Sequence, residues 1–378
     1  MLMKIGYDAK RIFHNFRGLG NYGRNLIEGM NSWYPENQYY LYTPPIIDNR
    51  AVLWRKKITR PRIITPPNKI LKTLSPLWRS FFIGSDLQKK NIDIYHGLSH
   101  ELPFNVNRKT KQIVTIHDLI FIRHPRYFPF LDRKIYLKKI IHSCKQADII
   151  VAISGQSKRD LVDFLQIPEE KIRVVYQSCH PCFYRDVPHE LQQETLAKYN
   201  LNNDYILYVG AIEERKNILR LVNAFAKLPT HHRMVLIGTG SSYKNKVIAR
   251  IKMLGLENKI LLLENVPQQD LPALYRNARV FVYPSLFEGF GIPIIEAMFS
   301  ETPVMTSQGS CFSEAGGPNS VYVNPYKEDE ISQGILRILS DKNLAKHMTQ
   351  TGRKFAERFH LRQTTRDMMN VYRDITAR

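Results

Sequence analysis

Two stretches of the chain carry residues whose types and spacing could do chemistry. In the first, the strand-like run Tyr205-Ile-Leu-Tyr-Val209 leads into Gly210-Ala-Ile-Glu-Glu-Arg-Lys-Asn217, and an amphipathic stretch through Leu219, Leu221, Val222 and Phe225 comes next. Arg215 and Lys216 therefore stand in a strand-to-helix loop. Two adjacent cations beside a helix dipole suit a diphosphate. An Arg-Lys pair alone is ordinary surface, and its place after a strand is what singles it out.

In the second, Val280-Phe-Val-Tyr283 precedes Pro284-Ser-Leu-Phe-Glu-Gly-Phe-Gly-Ile-Pro-Ile-Ile-Glu-Ala-Met298. Pro293 fits the first turn of a helix, so Gly289, Phe290 and Gly291 can offer backbone N–H groups at its start. Glu288 lies in the loop and Glu296 in the helix. Each carboxylate can accept from neighbouring hydroxyls, so the pair could hold two sugars with a phosphate between them. Taken singly, either glutamate could cap a helix or face solvent.

A third stretch, Arg17-Gly-Leu-Gly-Asn-Tyr-Gly-Arg24, has the G-x-G-x-x-G spacing of a dinucleotide turn. That turn requires its first glycine to leave a strand and an acidic residue to end the next one. The run Met3–Tyr7 ends about ten residues too early, and Gln38–Thr43 is followed by two prolines. The glycines lead instead into helical spacing, through Tyr22, Leu26, Ile27 and Met30. A loop meeting an anion at a helix N-terminus and a tight loop without a ligand fit equally well.

The elements that must position these residues alternate. Strand-sized apolar runs at 92–95, 112–116, 148–153, 172–175, 205–209, 234–237, 260–263, 280–283 and 303–305 are separated by helix-sized amphipathic stretches. This is the pattern of parallel sheets covered by helices. The polar span from about His180 to Asp204 is the domain boundary, and 354–378 reads as a charged helix. With 378 residues and 43% hydrophobic content, two domains each have a core. In such sheets ligands bind beyond the carboxyl ends of the strands.

Four cysteines do not form a disulfide framework, and Cys179-His-Pro-Cys182 lacks a second ligand pair for zinc. No signal-like segment opens the chain and no run is long enough to span a bilayer, which predicts a cytoplasmic, reducing location. The net charge of +21 asks for a polyanionic partner. Between Asp48 and Asp86 there is no acidic residue, while Arg50, Arg55, Lys56, Lys57, Arg60, Arg62, Lys69, Lys72 and Arg79 interleave with Trp54, Leu71, Leu74, Leu77, Trp78, Phe81 and Phe82. Residues 50–82 fit an anionic membrane surface, or a basic loop that orders against its own domain. Nucleic-acid modules are missing, so no nucleic acid is expected, although a nucleic-acid-binding protein would account for the charge.

With these motifs assembled, the chain resembles the retaining nucleotide-sugar glycosyltransferases of the GT-B fold, specifically glycosyltransferase family 4 and its bacterial mannosyltransferase-like branch. Glu288 and Glu296 match the family's pair of glutamates separated by seven residues, Gly210–Asn217 is similar to its phosphate-gripping loop, Thr115-Ile-His-Asp-Leu119 to the segment with its active-site histidine, and Gly18-Leu-Gly20 to its N-terminal glycine loop.

The resemblance implies an α/β GT-B fold of two doubly wound Rossmann-like domains facing across a deep cleft. Residues 1–180 would bind the acceptor and 196–353 the nucleotide sugar, with 354–378 returning toward the first domain. It implies a donor site of Gly18, Gly20, Gly210, Arg215, Lys216, Val266, Glu288, Gly289, Phe290, Gly291 and Glu296. Arg215 and Lys216 would neutralise the leaving diphosphate, Glu288 hold sugar hydroxyls, Glu296 hold the ribose, and His117 bind the sugar near the reaction centre.

Ala211 stands where many members have arginine, and Ser313 where a proline is usual. No D-x-D clamp occurs in the candidate loops, so no metal or other cofactor is expected. The resemblance further implies a hexosyl donor, GDP-mannose first and UDP- or ADP-sugars next, and a glycan or lipid-linked acceptor in surface polysaccharide assembly. A peripheral place on the inner face of the cytoplasmic membrane is the matching expectation. Sugar epimerases share the architecture but do not need the Glu288/Glu296 phrase.

Overall fold

The computed structural model describes residues 2–201 and 204–377. The chain divides into two compact units, one running to Ser178 and resuming at Leu361, the other spanning Cys179–His360.

The first unit is built on seven parallel strands: β1 (Lys4–Asp8), β2 (Gln38–Tyr42), β3 (Arg62–Ile64), β4 (Ile94–Gly97), β5 (Lys111–Ile116), β6 (Ile149–Ala152) and β7 (Ile172–Val174). They lie in the order β3-β2-β1-β4-β5-β6-β7. Alternate residues of each strand feed two separate cores, as the pleat requires. Ile5, Tyr7, Tyr39, Leu41, Ile113 and Val151 point to one face, where Leu26 and Met30 of helix Gly18–Trp33, Trp54 of helix Asn49–Arg55, and Met368 and Tyr372 of the last helix pack. Tyr40, Tyr42, Tyr95, Val114 and Ile150 point to the other, against Trp78, Leu87, Ile140 and Leu161.

Three sequence expectations change here. The helix with the glycine spacing begins at Gly18, so the glycines are its opening turns and not a preceding loop. Residues 50–82 do not form one surface. They pass around the sheet edge at β3, so helix Asn49–Arg55 covers one face while Trp78 packs on the other, and both tryptophans are core residues. The charged stretch 354–378 is two elements: helix Lys342–Ala356 ends in a short turn at Glu357–Phe359, and helix Leu361–Thr376 joins the first unit's core.

The second unit has six parallel strands, β8 (Tyr205–Val209), β9 (Arg233–Ile237), β10 (Ile260–Leu263), β11 (Val280–Tyr283), β12 (Val304–Ser307) and β13 (Val321–Val323), in the order β10-β9-β8-β11-β12-β13. In both sheets the strand order reverses once, between β1 and β4 and between β8 and β11. A switch of this kind opens a crevice between the loops that leave the two strands.

Candidate active site

The switch point of the second unit gathers four polar side chains. The loop after β8 ends in a single helical turn, Glu214–Lys216, and Asn217 then takes a left-handed conformation at φ 67° that asparagine tolerates. Its side-chain amide donates to the carbonyls of Pro284 (3.0 Å) and Pro325 (2.7 Å), locking this loop to the one after β11. The Leu286 N–H adds a bond to the Arg215 carbonyl at 2.9 Å. Residues 72 and 73 positions apart are thereby brought together: Lys216 Nζ lies 2.6 Å and Arg215 Nη1 2.9 Å from one oxygen of Glu288. The Tyr283 hydroxyl joins them, accepting from Lys216 at 2.6 Å and lying 3.2 Å from the same carboxylate oxygen.

Burial would raise the Glu288 carboxyl, but Arg215 and Lys216 outweigh it and hold the group down at about 2. For Lys216, burial lowers the ammonium and Glu288 only partly restores it. Two largely buried cations share one buried carboxylate, while the second acid, Glu213, 3.7 Å from Arg215, is half exposed, so the enclosed part of the cluster carries a surplus positive charge.

Around it the backbone is tightly constrained. Gly291 has φ 111°, which disfavours any other residue, and opens helix Ile292–Phe299 with Pro293 in its first turn. The carbonyls of Glu288 and Phe290 are held from below by the Cys311 sulfur at 3.2 and 2.8 Å, and Ser310 adds a bond to the former at 3.2 Å. Phe290 is buried against Phe359, and Gly289 lies between it and Glu288. Gly210 continues the β8 edge, its N–H donating to Ile237, and a Cβ there would meet the Tyr208 hydroxyl at 2.7 Å. Val266 sits, partly exposed, in the loop after β10. Glu296 projects from the helix and accepts from Tyr275 at 2.9 Å; burial raises its carboxyl to about 7, which that hydrogen bond only partly counters.

Gly18, Gly20 and His117 belong to the first unit. Gly18 is exposed, and a Cβ there would meet nothing within 4 Å. A Cβ on Gly20 would fall 1.6 Å from the Asn15 carbonyl, so that glycine serves packing against the preceding turn. Buried Arg24 ties the same turn, donating to Asn15 at 3.0 Å. His117 follows β5 with both ring nitrogens engaged: Nε2 donates to the Leu98 carbonyl at 2.9 Å, and Nδ1 is therefore left to accept from Gln177 at 2.9 Å. Burial, reinforced by His100, lowers its pKa to about 3, so the ring is neutral.

The sequence reading missed His100, whose ring lies 5.3 Å from that of His117. It occupies φ 65°, burial lowers it to about 4, and its Nδ1 is enclosed without a hydrogen-bond partner. Its signal was its place just after β4. Tyr283 was also missed, since it acts through contacts made by the fold, and Ser310-Cys-Phe-Ser-Glu314, though similar to a family segment, stood outside the expected site, which Ser310 and Cys311 support. Among the described residues one group has metal-ligand proximity, Asp204 with His231 and His232, at the amino ends of β8 and β9. There Arg279 already donates to Asp204 at 2.9 Å.

Two doubly wound parallel-sheet units, the second with paired cations and two glutamates at its switch point, define the class of GT-B glycosyltransferases. Residues 17–179 match the model of Glycosyltransferase Family 4 and residues 192–355 that of the glycosyl transferases group 1. The chain is 33% identical over 286 residues to O-antigen chain mannosyltransferase B of Escherichia coli, covering 74% of each chain, and 28% identical to O-antigen chain mannosyltransferase RfbU of Salmonella typhimurium over 74% of this chain and 76% of that one. The structure of Anabaena Alr3699/HepE in complex with UDP superposes with a TM-score of 0.75 at 17% identity, over 99% of this chain and 100% of that one. The chain belongs to glycosyltransferase family 4, in the group that contains the O-antigen mannosyltransferases.

Proposed function

We propose that the chain transfers mannose from GDP-mannose, with retention and without a metal, to a glycan or lipid-linked glycan during assembly of a bacterial surface polysaccharide. The observation that carries this reading is the Arg215–Lys216–Glu288 cluster at the β8/β11 switch. Its surplus charge matches a diphosphate, and the names of the two enterobacterial relatives support the sugar.

As the bond between the anomeric carbon and the phosphate oxygen breaks, negative charge grows on the departing diphosphate. Arg215, Lys216 and the N–H groups at Gly289–Gly291 stabilise it in place of a metal, while Gly210, its own N–H held by Ile237, leaves the loop after β8 free of a side chain beside them. The new bond to the acceptor oxygen forms on the same face, and the acceptor's proton passes to the departing phosphate. Glu288 accepts from sugar hydroxyls once the diphosphate takes over its cations, and Glu296 accepts from the ribose. Phe290 and Val266 shape the donor pocket, and in the first unit the neutral His117 ring is fixed by Leu98 and Gln177.

A uridine-linked donor is the second reading, since the Anabaena protein binds UDP. Calorimetry without metal decides between them: GDP-mannose should bind and then release GDP slowly, whereas UDP-glucose and ADP-glucose should not. Binding of UDP-glucose alone overturns the donor, and a requirement for divalent metal overturns the metal-free mechanism. The acceptor reading places the protein at the membrane, and no described helix is long and apolar enough to cross one.

A further inference from the structure

We infer that the first unit docks on an anionic lipid bilayer through one strip made of two segments distant in sequence, helix Phe130–Gln146 and the residues around Phe81 and Phe104. The helix buries only Ile140, Ser143 and Cys144, so its first ten residues contribute nothing fully buried to the core. Leu131 is 72% exposed and Ile135 52%. Leu131, Ile135, Lys138 and His142 recur at i, i+4, i+7 and i+11, which is one face of a helix.

That face continues beyond the helix. The Phe104 ring lies 4.0 Å from the His142 ring, and Phe81 stacks on Phe104 at 5.1 Å with the planes 12° apart. The Phe104 N–H donates to the Ser80 carbonyl at 2.8 Å, fixing the join. Phe81, Phe82 and Phe104 are each about half exposed. The Leu131–Ile135 crest, then Lys138, then the His142–Phe104–Phe81 rings thus follow one another along a single helix face and its continuation, on the Trp78 face of the sheet.

The charge along it is one-sided. Helix Phe130–Gln146 carries Arg133, Lys134, Lys138, Lys139 and Lys145 against Asp132 alone. Lys134 and Lys138 flank the Leu131–Ile135 crest, while Lys139 is drawn into an ion pair with Glu101. Cations beside a half-exposed apolar crest match lipid phosphates above acyl chains. A second copy of the chain would bring like charges together. A nucleic acid would favour stacking rings over the leucine and isoleucine at the crest. Arg55 ends helix Asn49–Arg55 and Lys56 and Lys57 follow it; that helix packs on the opposite face of the sheet, so these three take no part.

The proposal deepens the lipid-linked acceptor reading by naming the contact, and it is tested apart from the donor. The full-length protein is floated with vesicles of phosphatidylglycerol and phosphatidylethanolamine, and with phosphatidylcholine vesicles. Wild type should bind the anionic vesicles, less in high salt, and not the neutral ones. Leu131→Ser with Ile135→Ser should lower the bound fraction at least tenfold, as should Lys134→Glu with Lys138→Glu. Arg55→Glu, Lys56→Glu and Lys57→Glu together should retain more than half of it. All are exposed substitutions, and an unchanged thermal midpoint checks folding.

Equal binding to neutral vesicles, unchanged binding of the Leu131/Ile135 variant, loss confined to the Arg55–Lys57 variant, a concentration-dependent dimer abolished by the strip variants, or displacement by an oligonucleotide would each overturn the proposal. GDP-mannose binding measured on the same proteins separates the two readings: wild type that floats but binds no sugar nucleotide sinks the donor reading and leaves the surface standing.

Discussion

The two sheets share a topology, yet the charged groups at their switch points are balanced in opposite directions. Beyond β8 and β11, Arg215 and Lys216 converge on a single buried carboxylate, Glu288, and the other acid near Arg215, Glu213 at 3.7 Å, is half exposed. At the end of β1, Asp8 instead pairs with Arg79, which also reaches Glu101 at 3.1 Å, so one cation answers two carboxylates before Lys139 joins at 3.0 Å. Among the buried and part-buried groups, the second unit has positive charge to give to an incoming anion, and the first has none to spare around Arg79. The same fold therefore presents a largely buried pair of cations at one sheet's switch point and a pair of acid groups around one arginine at the other. Topology sets where a ligand can sit, and the local ion count sets which ligand it is.

Removing a cation from the second cluster should break the comparison most severely. Lys216→Ala should lower turnover about 10³-fold, as the loss of a buried charge-stabilising donor does elsewhere, and steady-state kinetics measures it. On the first unit the effect should fall on stability. Arg79→Ala leaves Asp8, 4% exposed, without its partner and should cost about 3 kcal/mol in denaturant unfolding, with donor affinity unchanged.

Substitution at the glycines sharpens the contrast further. Gly20→Ala drives a methyl into the Asn15 carbonyl and should destabilise by about 2 kcal/mol, while Gly18→Ala, facing open space, should gain about 0.5 kcal/mol. The smallest effect is one of pH. Because the Glu296 carboxyl is raised from 4.5 to about 7, the folded chain keeps a proton that the unfolded chain loses, and stability falls as pH rises across that window. Thermal midpoints of wild type should decline from pH 4.5 to 7 relative to Glu296→Gln, and GDP affinity should rise as the carboxylate forms near pH 7.

Much of the fold was legible because central parallel strands are continuous apolar runs. The runs at 205–209, 260–263 and 280–283 are β8, β10 and β11. β3 and β13 were not legible. Each has three residues, and Arg62-Ile-Ile comes after a proline within a basic stretch, so neither length nor composition marked it. Residues 50–82 read as one basic, aromatic surface because sequence proximity says nothing about which sheet face each tryptophan enters.

At the site, Glu288 and the Arg215–Lys216 pair stood out by their loops, but their mutual ion pairing spans 72 and 73 positions and depends on Asn217 bridging the two loops. His117 was visible as a residue after a strand; that both its nitrogens are engaged was not, because Leu98 and Gln177 are distant in sequence.

The central claim is that Glu288 holds the place of the donor diphosphate. Titrating GDP into wild type and Glu288→Gln by calorimetry tests it most directly. Freed of their carboxylate, Arg215 and Lys216 should bind GDP about tenfold more tightly, about 1.4 kcal/mol, even as sugar transfer collapses. GDP affinity that is unchanged or weaker in Glu288→Gln would contradict the account.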